Sequence, residues 1–99
     1  MSAKPVDECL SLTLPSEVQR ANSIDWGVLV DAYLMNAARV GSQYTGSAYL
    51  DRSGRIADGM TVVTPHVFQI AEIEGMHLVS SAGGDDHYVV VTPFSLDVE

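Results

Sequence analysis

Between Trp26 and Ala37 the apolar residues fall at Trp26, Leu29, Val30, Tyr33, Leu34 and Ala37, in steps of three and four. That is the period of one buried helical face. Asp25, Asp31, Asn36 and Arg39 fall mostly on the other side. Asp25 early and Arg39 late both complement a helix dipole. The pattern predicts a main helix over about 24–40, with Gly41 in the usual position of a C-terminal cap. Gly27 inside it costs about 1 kcal/mol of helix propensity. Upstream, Ser16-Glu-Val-Gln19 has the form of a capping box, Ser at the N-cap and Gln at N3, and predicts a short helix over about 16–22. Residues 1–15 read as an irregular N-terminal arm. The alternation Leu10-Ser-Leu-Thr-Leu14 within it fits a short edge strand or an extended arm.

After Gly41 the period changes from 3.6 to 2. Strands are expected over 44–50, 60–64, 67–73, 76–82 and 87–92. The turn compositions between them are Asp51-Arg-Ser-Gly54, Asp58-Gly59, Glu74-Gly75 and Gly83-Gly-Asp-Asp86. Phe68 and Ile70 share one parity, Ala71 and Ile73 the other. A bulge near Ala71, or burial of both faces, reconciles them. The expected class is α+β: a helical segment packed on an antiparallel meander of four to five short strands, with residues 16–99 as a single domain. The sheet stays open or curls into a small barrel. The expected core is Trp26, Leu29, Tyr33, Phe68, Ile70, Leu78, Val89 and Val91.

Charge changes the picture more than composition does. Five Lys and Arg stand against thirteen Asp and Glu, for a net charge of −8. All the basic residues (Lys4, Arg20, Arg39, Arg52, Arg55) lie in the first 55 positions. From Ile56 onward there are only acids: Asp58, Glu72, Glu74, Asp85, Asp86, Asp97 and Glu99. Such a half repels phosphate backbones and anionic lipid, which argues against direct nucleic-acid binding and membrane docking. The same charge serves solubility, or forms an acidic surface that meets a basic partner. The one cysteine, Cys9, has no internal disulfide partner, and the first residues carry no apolar signal core. A cytoplasmic location is expected.

No catalytic signature stands out. Ser80, Ser81 and Thr64 lack a nucleophile elbow, and Cys9 sits beside Asp7 and Glu8, which disfavour a thiolate. His66, Asp85, Asp86 and His87 share one end of the expected sheet and are legal zinc or manganese ligands, but turns are where Asp and exposed His ordinarily occur. Neither a metal nor a cofactor is expected. The acidic candidates for partner binding are Glu72, Glu74, Asp85 and Asp86. A second candidate is the loop carrying Asp51, Arg52, Arg55 and Asp58, where Arg52 and Arg55 can pair with Asp51 and Asp58 and stitch two turns.

The run Ser47-Ala-Tyr-Leu-Asp-Arg-Ser-Gly-Arg-Ile-Ala-Asp-Gly59, followed by Val62-Val-Thr-Pro-His-Val67, resembles a pattern in small uncharacterised acidic proteins of pseudomonad prophages. There a tyrosine, an aspartate and a Gly-Arg pair precede Asp-Gly and a threonine-containing strand. The resemblance covers residues 44–67, and Ile56 stands where an aromatic residue is usual. It implies a mobile-element setting and carries no catalytic residues. By analogy with small acidic phage proteins, the resemblance implies a stoichiometric inhibitor. The expectation is therefore a non-enzymatic phage-type accessory protein that binds a protein partner with a basic surface. Its target class is a bacterial defence complex, as for an anti-CRISPR. The alternatives are an immunity or antitoxin protein neutralising a basic toxin, and a small metal-dependent enzyme.

Overall fold

Residues 24–40 are not a helix. In the computed structural model, which describes residues 14–92, they hold an irregular segment and then the central strand of a mixed sheet. The elements among the described residues are α1 (Ser16–Asn22), β1 (Ala32–Val40), β2 (Gln43–Tyr49), β3 (Met60–Val63), β4 (Val67–Ile73), β5 (Met76–Ser81) and β6 (His87–Val90). The sheet has six strands in the order β3-β2-β1-β6-β5-β4. The expected α+β fold, a short and a main helix packed on an antiparallel meander of four to five strands, is thus corrected: among the described residues one short helix accompanies a six-stranded mixed sheet. The expected arm, with its Leu10–Leu14 alternation, lies almost wholly outside the described residues.

The misleading helical spacing has a structural cause. Tyr33 and Leu34 are adjacent and both buried because β1 is covered on both faces. Leu34 and Ala37 share a face at odd spacing because β1 carries a bulge: Met35 pairs with Ser47 and Ala38 with Thr45, so Asn36 and Ala37 together oppose Gly46. Asn36 takes φ +53, a conformation that asparagine tolerates better than most residues. Its amide donates to Thr92 Oγ1 at 2.8 Å and the Ala37 amide to the Thr92 carbonyl at 2.9 Å. The bulge brings β1 so close to β2 that a Cβ on Gly46 would stand 2.9 Å from both Ala37 Cα and the Met35 carbonyl oxygen. Gly41 does not cap a helix. It has φ +63 in the tight turn between β1 and β2, where L side chains are strained.

The short helix occupies the expected span, but its cap differs. Pro15 holds the N-cap position and no side chain caps it, while Gln19 reaches back to the Leu14 carbonyl at 3.0 Å. Val18 and Ala21 face the sheet, and the buried Trp26 ring is pinned by Nε1 donating to the Ala21 carbonyl at 3.0 Å. They join Tyr33, Met76, Leu78, Val89 and Val91 in one core. Leu29, Phe68 and Ile70, all expected in the core, are 69%, 52% and 45% exposed. Leu29 precedes β1, Phe68 lies on an edge strand, and Ile70 is the bulged residue between Gln69 and Ala71.

The opposite face of the sheet carries a second core of Ala32, Leu34, Ala37, Ala48 and Val90. Among the described residues no helix residue belongs to it; Tyr44, Val62 and Tyr88 of the strands and Ile56 of the loop after β2 pack against it. A flat six-stranded sheet would hold its edge strands about 24 Å apart, at about 4.8 Å per strand. Yet β3 and β4, the two edges, are linked by Thr64, Pro65 and His66 alone. The four Cα steps from Val63 to Val67 reach at most about 14 Å. The sheet must therefore curl enough to bring the end of β3 within that reach of the start of β4. The Thr64 amide donates to the Tyr44 carbonyl and the Val67 amide to the Ser42 carbonyl, both at 2.8 Å, and so hold the link on the β1–β2 turn. β3 and β4 run in the same direction, as two parts of one bent strand. The circuit then has an odd number of passes, so its first and last, β1 and β6, run parallel. No helix among the described residues is long and apolar enough to cross a membrane.

Candidate functional site

The second core borders a pocket. Ala32, Ala48 and Tyr88 contribute to this pocket of about 330 Å³, with Val62 and Thr64 beside them. The loop after β2 folds over it and supplies Ile56 as an apolar wall, with Asp51, Arg52 and Ser53 at the rim. Asp31, Val63 and Asp86 complete the lining. Three aspartates thus face one arginine around a partly apolar cavity.

Asp31 organises the rim. Its amide donates to the His87 carbonyl at 2.7 Å, and its Oδ2 accepts the His87 amide at 2.8 Å. Its Oδ1 accepts Arg52 Nη2 at 3.1 Å and Nε at 3.3 Å, and its carbonyl accepts the Arg52 amide at 2.8 Å. One residue therefore ties the starts of β1 and β6 to the loop. Asp51 holds the loop in shape. Its Oδ2 accepts the Ser53 hydroxyl at 2.5 Å, the Arg55 amide at 3.1 Å and the Ile56 amide at 3.2 Å. The Ser53 bond first, and those amides after it, hold its carboxyl below the usual aspartate range despite an opposing effect of burial. Tyr88 is shifted the other way. Burial, then the charges of Asp86, Asp31 and Asp51, hold its hydroxyl above the ordinary tyrosine value.

The sequence-derived candidates fall in three places. Asp51, Arg52 and Asp86 meet at the pocket. Asp85 is exposed beside Asp86 in the β5–β6 turn. Glu72 and Glu74 lie at the other end of β5, Glu72 exposed on β4 and Glu74 in the β4–β5 turn with φ +53. Glu74 pairs with Arg20 at 3.5 Å, both side chains more than half exposed. The four acids therefore form two separate patches. In the loop, Arg52 pairs with Asp31 rather than with Asp51 or Asp58. Arg55 is exposed and contributes its amide to Asp51, while Asp58 Oδ1 accepts the Leu50 amide at 2.9 Å. The stitching of the two turns is thus done by backbone amides, not by arginine side chains.

Among the pocket residues that sequence reasoning passed over are Asp31 and Tyr88. Asp31 reads as the polar side of a helix until β1 is known, and its partners His87 and Arg52 are remote in sequence. Tyr88 carries only the alternation of a strand.

Other chemistry is spent on structure. Thr64 and Ser80 are buried, and their hydroxyls donate to the carbonyls of Pro65 at 2.8 Å and Ser81 at 3.0 Å. His66 Nδ1 meets Ser42 Oγ at 2.5 Å, and His77 Nδ1 meets Gln69 Oε1 at 2.6 Å. Among the described residues no three His, Cys, Asp or Glu gather closely enough to hold one metal ion, so His66, Asp85, Asp86 and His87 do not form a ligand set. What the pocket can do is hold a positive group against carboxylates and apolar surface together. No protein-family model, curated protein or solved structure matches the chain.

Proposed function

We propose that this protein is a non-enzymatic, stoichiometric binder that meets a basic protein surface with the acidic pocket beside its second core. The observation that carries this is the convergence of Asp31, Asp51 and Asp86 on one pocket, where Arg52 is the sole cation of the lining. Excess negative charge held on strand starts and a hydrogen-bonded loop attracts a basic face and fixes its register. The exposed Asp85 extends the patch. The likeness of residues 44–67 to prophage proteins supports a setting inside a bacterial host. There the target class is a defence complex that handles nucleic acid and so presents a basic groove. Neutralisation of a basic toxin uses the same charge layout and is told apart by the partner's identity.

The test is affinity capture from bacterial lysate with the purified chain, followed by binding of each captured protein in purified form. The expected result is a one-to-one complex with a partner rich in exposed lysine and arginine, weakened as salt rises. Complexes that bind equally at high salt, or that involve no basic surface, contradict the proposal.

A further inference from the structure

Resting on that function, we infer that the pocket receives a single arginine or lysine side chain from an extended segment of the basic partner. At about 330 Å³ it lies at the small end of ligand pockets, which span about 300–1,000 Å³, and has room for one long side chain. Its lining is mixed. Ala32, Ile56 and Val62 offer apolar surface to a methylene stem, while Asp51 and Asp86 offer carboxylates to a charged head. Tyr88 adds an aromatic ring of the kind that attracts cations.

The charges are not all neutralised internally. Asp31 is committed to Arg52 and His87. Among the described residues, no donor meets either carboxylate oxygen of Asp86. A metal ion is a poor fit, because the carboxylates do not gather within reach of one point. A guanidinium, which spreads its charge over a plane of several donors, suits carboxylates set apart around a cavity. Access is also present. Val62, Val63 and Thr64 belong to the pocket wall, and β3 is an edge strand that pairs with β2 alone. An extended segment can add along that edge and turn one side chain into the cavity.

The experiment uses the full chain labelled with ¹⁵N and titrated with N-acetyl-arginine amide. N-acetyl-citrulline amide, of the same shape without the charge, is the control. The arginine probe is expected to give saturable shifts at the amides of Arg52, Ser53, His87 and Tyr88, with a Kd on the order of 1 mM. The citrulline probe is expected to give none. Asp86→Asn should weaken the arginine probe about threefold, and Asp86→Lys should abolish its shifts. The spectrum of each variant reports that it is folded. Equal shifts from citrulline, shifts confined to other surfaces, or no shifts from either probe overturn the pocket assignment. If the probe fails while a captured basic partner still binds and Asp86→Lys leaves that complex intact, the pocket is wrong and the acidic-binder reading stands. If no basic partner binds the chain at all, it is the binder reading that falls.

Discussion

Asp31 and His87 exchange two hydrogen bonds across the parallel junction of the sheet, amide to carbonyl at 2.7 Å and amide to carboxylate at 2.8 Å. The same carboxylate holds Arg52, whose side chain is 54% exposed. These two roles separate by mutation. Arg52→Ala removes a partly exposed ion pair and should cost less than about 1 kcal/mol. Asp31→Ala also leaves the His87 amide without its carboxylate, and should cost about 1–2 kcal/mol more. Urea midpoints for the two variants check this. Equal losses would mean that Asp31 serves only as a counter-ion.

Gly46 is the second position where geometry fixes the residue. Because backbone atoms of Met35 and Ala37 stand 2.9 Å from where its Cβ would be, Gly46→Ala must push β1 and β2 apart at the bulge. A loss of about 1–3 kcal/mol is expected. The exposed Thr61, changed to Ala, should stay within about 0.5 kcal/mol of the parent. A neutral Gly46→Ala would show that the bulge is not packed as described.

Much of the sheet was legible before the structure. The span of β4 follows from turn residues and alternation, and the irregularity at Phe68–Ile73 resolves into the bulge between Gln69 and Ala71. The largest miss is residues 24–40. There a strand buried on both faces and interrupted at Asn36 reproduces helical spacing by coincidence, and the pairing of β1 with β2 and β6 overrides local propensity. Gly27 and Gly41, read as a tolerated interior glycine and a cap, mark turns with φ +80 and +63. Of the site, Asp51, Arg52 and Asp86 were visible as charged turn residues. Their meeting was not, because it depends on the parallel contact between β1 and β6, a pairing between segments far apart in sequence that no local pattern encodes.

Tyr88 reports on the charge around the pocket. Its hydroxyl should titrate above the ordinary tyrosine value of about 10. Folding holds it in the neutral form, so its contribution to stability is present below that value and is lost as pH rises through the folded pKa. Asp86→Asn removes one of the charges that raise it and should bring the Tyr88 titration down, as read by phenolate absorbance or by NMR of the ring. A Tyr88 titration unmoved by Asp86→Asn would place Asp86 away from the ring.

The loop at 51–56 should open in acid. Asp51 is held below its ordinary value of about 3.8, so the bonds it makes are fully present above that pH and are lost as pH falls through the depressed folded value. The amide resonances of Arg55 and Ile56 should shift together below about pH 4 while those of the β4–β5 hairpin stay in place. Asp51→Asn should give the loop its acid-opened spectrum at neutral pH. Independent movement of the Arg55 and Ile56 amides would contradict a shared carboxylate.

The most direct measurement of the central claim is the association rate with a captured basic partner. It is taken as salt rises from about 0.1 M to about 1 M, over which the Debye length falls from about 10 Å to about 3 Å. Three chains are compared: the parent, Asp85→Lys with Asp86→Lys in the turn beside the pocket, and Asp97→Lys with Glu99→Lys, the same charge change at the C-terminal end of the sequence. The account predicts a steep fall in the parent's rate, a far larger loss for the Asp85/Asp86 pair than for the Asp97/Glu99 pair, and little change in the stability of either. Equal losses from the two pairs, or a rate indifferent to salt, would contradict it.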